Sequence, residues 1–540
     1  MKLTSNKEST GEHQEIRVDE LQAIISKAKG LSDSEHSTLS AAVETLGFIT
    51  HALESKDVSI ERLKRMLFGA STETSNAVLE GLFEPKKSDP SSSASGTTKS
   101  KVKGHGRNGA DSYTGAVTID VPHDIFKPGD ACPSCPSGKL SPIKRPGTIV
   151  RVTGMAPLSA TVYKLEKLRC NACGEVFTAR EPPGVGPAKY DEGAVSMIAL
   201  LKYAVGMPFH RLEKLQDGLG IPLPSSTQWD LVAQASESLL HAYQELVRQA
   251  AQGDVLHNDD TTMKILELTG KRRSDAIASG DIDPDQRVGI FTSGIVSIKD
   301  KVEIALFFTG NKHAGENLAN VLALRASDLT TPIQMCDALS HNTCGEFDTI
   351  VSNCLVHARR QFVEVSANFP DECRFVIEAF REVYRTDAMA RQENLRDEER
   401  LALHQKTSAP VMEKFKTWMD KQIVERLIEP NSGLGAAIKY TRKHWDKLTL
   451  FLRKAGAPLD NNTCERALKK TIVNRKNAYF YKTREGARIG DLYMSLIHTT
   501  ERCGGNPFEY LVSLQKNAKA VAESPADWMP WNYLKALEGQ

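Results

Sequence analysis

The stretch Asp460-Asn461-Asn462-Thr463-Cys464-Glu465-Arg466, followed by Arg475-Lys476-Asn477, sets one carboxylate in a run of Asn, Arg and Lys. Such surroundings can hold a divalent cation against a phosphodiester, the carboxylate taking the metal and the cationic side chains taking phosphate. From Lys439 to Arg488 there are 14 Lys or Arg against 4 Asp or Glu, a local excess of +10 in a chain whose formal net charge is only +1. Two more acids follow short apolar runs. Asp259 closes the expected strand that begins Val255-Leu256 and precedes Asp260-Thr261-Thr262. Asp337 ends the run Ile333 to Cys336 and precedes Ala338-Leu339-Ser340-His341-Asn342. Carboxylates at the ends of adjacent strands, with a third from a helix, can converge on two metal ions that activate a water or a 3′-hydroxyl and stabilise the leaving oxygen. Oxygen ligands suit Mg²⁺ or Mn²⁺ rather than Zn²⁺. By spacing alone the trio is weakly specified, because the chain has 68 acidic residues and most such groups are solvated surface charges.

A second ligand set is better specified. Cys132-Pro133-Ser134-Cys135 and Cys170-Asn171-Ala172-Cys173-Gly174 are two Cys-x-x-Cys pairs separated by 34 residues. Two such knuckles bring four thiolates to a tetrahedral Zn²⁺, and with every position filled the site is structural rather than catalytic. The expectation is a zinc ribbon. The remaining cysteines, Cys336, Cys344, Cys354, Cys373, Cys464 and Cys503, are scattered and read as buried thiols of a reducing compartment.

Two segments are candidates for contacting DNA. Pro208 opens a helix that runs to Gly218-Leu219-Gly220, after which Ser225, Ser226, Thr227, Gln228 and Trp229 open another. That is the outline of a helix-turn-helix with Ser225, Ser226 and Gln228 in its second helix, and it is equally the outline of two packed helices with no DNA role. His357-Ala358-Arg359-Arg360-Gln361 puts His357 and Gln361 on one helical face beside Arg359 and Arg360, which suits either phosphate contact or a helix lying over the sheet.

The elements that would carry these residues divide the chain into several domains, as 540 residues exceed what one core supports. Hydrophobic content of 40% is ordinary for a globular protein, no apolar run reaches the ~20 residues needed to span a bilayer, and the polar stretch Met1 to Glu15 has no signal-peptide core. A cytoplasmic protein with no membrane partner is expected. Residues 1–84 read as a helical segment, either an amphipathic hairpin or a self-association element. Residues 85–115 form a basic Ser- and Gly-rich linker, either a plain spacer or a graze on nucleic acid. The ribbon occupies 116–182 and a helical region 183–250. Residues 251–342 hold four apolar runs, Val255 to Leu268, Gln286 to Ile298, Val302 to Phe308 and one ending at Cys336, which suggest strands. Residues 343–455 read almost entirely as helix, 456–512 hold the Glu465 helix and the basic segment, and 513–540 close the chain.

Taken together, these pieces resemble the large transposase of the insertion-sequence-66 family along nearly the whole chain. The resemblance rests on a series in family order. It starts with Leu67-Phe68-Gly69 with Ser71 and Glu73, Gly104-His105-Gly106-Arg107, the doubled Cys-x-x-Cys, and Leu201-Lys202-Tyr203 with Pro208 and Arg211. Next come Asp259-Asp260-Thr261, Asp337, His357-Ala358-Arg359-Arg360, and Asp460-Asn461-Asn462 with Glu465-Arg466. Arg475-Lys476-Asn477, Gly486-Ala487, Ser495-Leu496 and Met529-Pro530-Trp531-Asn532 complete it. The resemblance implies an α/β multidomain protein whose core is an RNase H-like mixed sheet with a large helical insertion, beside the N-terminal helical segment, zinc ribbon and helix-turn-helix. It assigns Asp259, Asp337 and Glu465 as a DDE triad binding Mg²⁺ or Mn²⁺. It also implies DNA ends and target as partners, gripped by Arg466, Lys469, Lys470, Arg475, Lys476 and Asn477, with a homo-oligomer on DNA and small accessory proteins of the same element as further candidates. Asp260 stands where the family usually has Glu, and Arg272 to Gln286 looks like an insertion in a hairpin loop. The expected activity is metal-dependent strand cleavage and transfer. A DNA-binding regulator with an inert triad, or an RNase H-like nuclease, would share the same residues.

Overall fold

The computed structural model describes residues 188–539 without a break. Before them it describes residues 32–54, 125–131, 133–134, 139–141, 156–169 and 176–185, with Leu21, Ile24, Ile25, Lys27 and Gly30. Cys132, Cys135, Cys170 and Cys173, and the basic linker, lie outside the described residues, as does most of the N-terminal segment. Within that segment Asp33–Glu54 forms helix α1, opened by Ser32, whose hydroxyl accepts from the Glu35 N–H while the Glu35 carboxylate accepts from the Ser32 N–H. The chain divides into a unit of residues 85–159 and a larger unit comprising residues 1–84 and 160–540. In the smaller unit, Ala131 and Lys139 pair as an antiparallel bridge, and the N–H groups of Gly129 and Leu140 bond across the turn at 2.8 Å each.

In the larger unit, β1 (Lys167–Arg169) and β2 (Val176–Thr178) pair antiparallel. Helix α2 (Glu192–Ala199) continues into a π-helical turn, and α3 (Phe209–Gly218) and α4 (Ser225–Ala250) follow in the expected order. Gly220 makes the turn between them at φ +75°, where a side chain would be strained. Helix α4 is 26 residues long and buries Val232, Leu239, Ala242, Leu246 and Ala250, so it belongs to the core of the molecule over most of its length.

Five strands make the central mixed sheet: β3 (Val255–Thr262), β4 (Phe291–Lys299), β5 (Val302–Gly310), β6 (Ile333–Cys336) and β7 (Ile350–Asn353), in the order β5-β4-β3-β6-β7. β3 is the centre, antiparallel to β4 and parallel to β6. Asp300 and Lys301 turn β4 into β5 with φ of 48° and 69°, the doubly left-handed turn that matches strand twist. Residues 263–290 leave the sheet between β3 and β4. The polar stretch Arg272 to Gln286, expected as an insertion in the hairpin loop, begins within helix α5 (Gly270–Ala278), and Ile265, Leu268, Ile282 and Ile290 build a small core with Tyr481 and Ala487.

Helix α6 (Ala314–Leu322) links β5 to β6. After β7 come α7 (Leu355–Val365), α8 (Pro370–Gln392), α9 (Asp397–Val424) and α10 (Gly433–Lys443), whose core holds Phe362, Phe380, Phe415 and Phe451 and is continuous with Ile333 of β6. The region expected to be helical from residue 343 therefore begins with a strand. Helices α11 (Asn462–Ala478), α12 (Arg484–Arg502) and α13 (Pro507–Lys516) follow. α12 covers the edge strand. Thr499, Ser495 and Asp491, one per turn, accept from the N–H groups of Ala305, Phe307 and Thr309 at 3.0, 3.1 and 2.6 Å, so β5 presents no free ladder there. Among the described residues no helix is long and apolar enough to cross a membrane.

Candidate active site

The two aspartates sit side by side because β3 and β6 are parallel neighbours. Asp337 follows β6 directly. Asp259 does not close its strand: β3 runs three residues further, and Asp259 lies within it opposite Gly294 of β4. The Asn342 side-chain nitrogen donates to both carboxylates, at 2.6 Å to Asp337 Oδ1 and 3.4 Å to Asp259 Oδ1. Further donors are the Leu339 N–H to Asp337, at 3.1 Å, and the Asp260 N–H to Asp259, at 2.8 Å.

Glu465 enters from the first turn of α11, which lies across β3 and β4 with Cys464, Ala467, Leu468 and Thr471 buried beneath it. Gly294 makes that seat. A Cβ there would lie 3.0 Å from two Leu468 carbons and 3.4 Å from Cys464 Sγ. The start of the helix is pinned by Asn461, which is fully buried. Its amide donates to the Asn258 carbonyl at 3.1 Å, its side-chain oxygen meets His257 Nδ1 at 3.1 Å, and its N–H reaches Cys354 Sγ at 3.3 Å. Below the aspartates, Asn258 donates to the Asn342 carbonyl at 2.7 Å and accepts from Gln334 at 2.9 Å, a buried polar frame that fixes β3, β6 and the Asn342 turn together.

The electrostatics of Asp259 reflect its burial and its acidic neighbours. Burial first, then the charge of Asp337, pushes the Asp259 carboxyl up to about 7, with smaller contributions from Asp260 and Glu465 and against the hydrogen bond from the Asp260 N–H. Glu465 Oε1 is buried with no hydrogen-bond partner. The carboxylate oxygens of Asp259, Asp337 and Glu465 do not all lie within 4.8 Å of one another, and at that distance Glu465 groups with Cys354 and His357 instead. Asp260 points elsewhere: its carboxylate meets His313 Nδ1 at 2.7 Å, and the His313 ring packs tilted against His341 with ring centroids 4.3 Å apart.

The other sequence candidates separate into exposed and internally bonded groups. Arg466, Lys469, Lys470 and Lys476 are exposed along the outer face of α11, with Lys470 3.6 Å from Glu501. Asn477 is half-buried. Arg475 instead turns inward onto the end of β3, donating to the Thr262 hydroxyl at 2.8 Å, the Thr261 hydroxyl at 3.2 Å and the Thr262 carbonyl. On α7, Arg359 is buried, Arg360 is half-buried, and His357 faces Glu465 at 4.0 Å. At the start of α4, Ser226 is exposed. Ser225 bonds to Glu213 of α3, and Gln228 is fully buried, its amide donating to the carbonyls of Phe209 at 3.1 Å and Leu223 at 2.9 Å.

Residues that sequence reasoning did not assign a role include Asn258, Gly294, Gln334 and Asn342. The available signal was polar side chains inside runs that otherwise read as buried strand, His257-Asn258 in β3 and Gln334 in β6, because such groups are retained only where they are hydrogen-bonded.

Comparison with known proteins agrees with this architecture. The family model described as "Transposase IS66 family" matches residues 188–489, which span the sheet, the inserted helices and α11. The chain is similar to three uncharacterized proteins of Sinorhizobium fredii (strain NBRC 101917 / NGR234). It is 24% identical to y4jD over 440 residues, 77% of this chain and 81% of that protein. It is 23% identical to y4hP over 510 residues, 89% of each, and 25% identical to y4qI over 355 residues, 63% of this chain and 62% of that protein.

Proposed function

This chain belongs to the IS66 transposase family, and we propose that it cleaves the ends of its element and joins them to target DNA at a metal site formed by Asp259, Asp337 and Glu465. The observation that carries the reading is the pairing of the two aspartates through Asn342, with Glu465 on the neighbouring helix near enough for its charge to act on Asp259. The strand order, with the first three strands antiparallel and the last two parallel to the central one, supports an RNase H-like core interrupted by helices between Asp337 and Glu465.

Asp259, Asp337 and Glu465 would hold two Mg²⁺ or Mn²⁺ ions through carboxylate oxygen. When bound, such a pair supplies activation of a water or 3′-hydroxyl and neutralises charge on the leaving oxygen. The chain's own part is positional. Asn342 keeps the aspartates oriented toward each other, and Asn461 and Gly294 set the depth of the Glu465 helix. Arg466, Lys469, Lys470 and Lys476 form the exposed cationic face that would carry phosphates past the acids. Purified protein with Mg²⁺ and a labelled element end is expected to nick the end and transfer it. Asp337→Asn is expected to bind the same DNA and cleave it at least ~10³-fold more slowly. Wild-type cleavage by Asp337→Asn refutes the assignment, and DNA binding without cleavage by the wild type points to a regulator instead.

A further inference from the structure

We infer that Cys354, His357 and Glu465 form a second metal site, selective for a thiophilic divalent cation such as Zn²⁺, whose occupation withdraws Glu465 from the magnesium chemistry proposed above. Cys354 is the N-cap of α7, His357 lies one turn into that helix, and Glu465 faces them from the first turn of α11. One sulfur, one imidazole nitrogen and one carboxylate oxygen from these residues all lie within 4.8 Å of one another. His357 Nδ1 and Glu465 Oε1 are 4.0 Å apart, too far for a hydrogen bond, and both atoms are buried without any hydrogen-bond partner. Unpaired buried polar atoms that face each other across such a gap need a third group between them.

The donor types select the ion. Zn²⁺ accepts a mixed sulfur, nitrogen and oxygen set, at about 2.3 Å from sulfur and about 2.0–2.2 Å from nitrogen and oxygen, and keeps a fourth position for water. Mg²⁺ takes oxygen and does not take a thiol. A cysteine thiol is ordinarily protonated near neutral pH. Binding forms a metal–sulfur bond, breaks the S–H bond and releases that proton to solvent. The Asn461 N–H, 3.3 Å from Cys354 Sγ, holds the sulfur in place, and a serine hydroxyl there would keep that acceptor while losing the soft ligand. The site stands on these three side chains alone, and only its effect on Glu465 rests on the transposase reading.

The test titrates the full-length protein as purified with Co²⁺ and follows thiolate-to-cobalt absorption. Wild type is expected to take up one equivalent more than Cys354→Ser, with release of one proton, whereas Cys373→Ser, which removes another buried thiol, behaves as wild type. His357→Asn is expected to weaken the same uptake at least ~10-fold. Equal uptake and identical spectra for wild type and Cys354→Ser overturn the site. In Mg²⁺-dependent cleavage, Zn²⁺ is expected to inhibit wild type at concentrations at least ~10-fold lower than those that inhibit Cys354→Ser, and equal inhibition overturns the competition. A wild type that binds Co²⁺ as expected but never cleaves with Mg²⁺ overturns the transposase reading and leaves the site standing.

Discussion

Replacing Gly294 by alanine tests whether the seat of the Glu465 helix sets the geometry of the acids. The added methyl would lie 3.0 Å from Leu468 Cγ and Cδ2 and 3.4 Å from Cys464 Sγ. Carbon contacts settle at about 3.5–4.0 Å, so α11 must recede by roughly 0.5–1 Å or Leu468 must leave its rotamer. Overpacking of this kind costs about 1–3 kcal/mol, and a reacting group misplaced by ~1 Å costs up to ~10²-fold in rate. Gly294→Ala is therefore expected to lower unfolding stability by about 1–3 kcal/mol in a urea titration and to slow Mg²⁺-dependent end cleavage by roughly 10- to 100-fold, with little change in DNA affinity. Leu468→Ala makes room for the methyl. The double mutant is thus expected to be more stable than the two single effects predict, with a coupling of at least ~1 kcal/mol. Wild-type stability and cleavage in Gly294→Ala would refute the reasoning, since the helix would then not be resting where Glu465 needs it.

Three further outcomes follow from the same geometry. Asn342→Ala removes the donor shared by Asp337 and Asp259 and is expected to raise the Mg²⁺ concentration for half-maximal cleavage by about 10- to 100-fold, whereas an unchanged Mg²⁺ titration contradicts the bridging role. Asp259 is held up to about 7 in the folded, metal-free protein against 3.8 ordinarily, so its contribution to stability is full below 3.8 and is lost as pH rises through 7. Mg²⁺ favours the ionised form, and the Mg²⁺-induced rise in melting temperature is expected to grow between about pH 6 and about pH 8; a pH-independent rise speaks against Asp259 as a ligand. Gln228→Ala leaves the carbonyls of Phe209 and Leu223 without their buried donor and is expected to cost about 1–3 kcal/mol of stability with no change in the salt slope of DNA binding. A slope flattened by about one unit would mean that Gln228 touches phosphate after all.

The sequence made parts of this site legible because they are local. Strands β4 and β5 are dense in β-branched and aromatic residues, Asp337 follows the short apolar run of β6, and Glu465 sits at a helix start marked by Asn461 and Asn462. Other parts depend on contacts that no local pattern records. Asp259 reads as a strand end because Asn258, Asp260 and Thr261 are polar, yet β3 continues through them, with Asn258 bonded to Gln334, Asn342 and Asn461 from three distant segments. β7 has four residues and acquires its identity only by pairing with β6. The polar stretch Arg272 to Gln286 reads as an insertion, but nothing local shows that its flanks pack a small core completed by Tyr481 and Ala487, some two hundred residues away in sequence. Composition also misdirects. Gln228, Ser225 and Arg475 are residue types that read nucleic acid, yet here each is bonded to the protein itself, and only the surrounding packing distinguishes the two uses.

The most direct test of the central claim is anomalous diffraction at the manganese edge from crystals of the protein bound to an element end and soaked in Mn²⁺. Two peaks coordinated by oxygen atoms of Asp259, Asp337 and Glu465, and lost together in Asp337→Asn, are the predicted result. Manganese bound elsewhere, with the three carboxylates free of it in the DNA complex, would contradict the account.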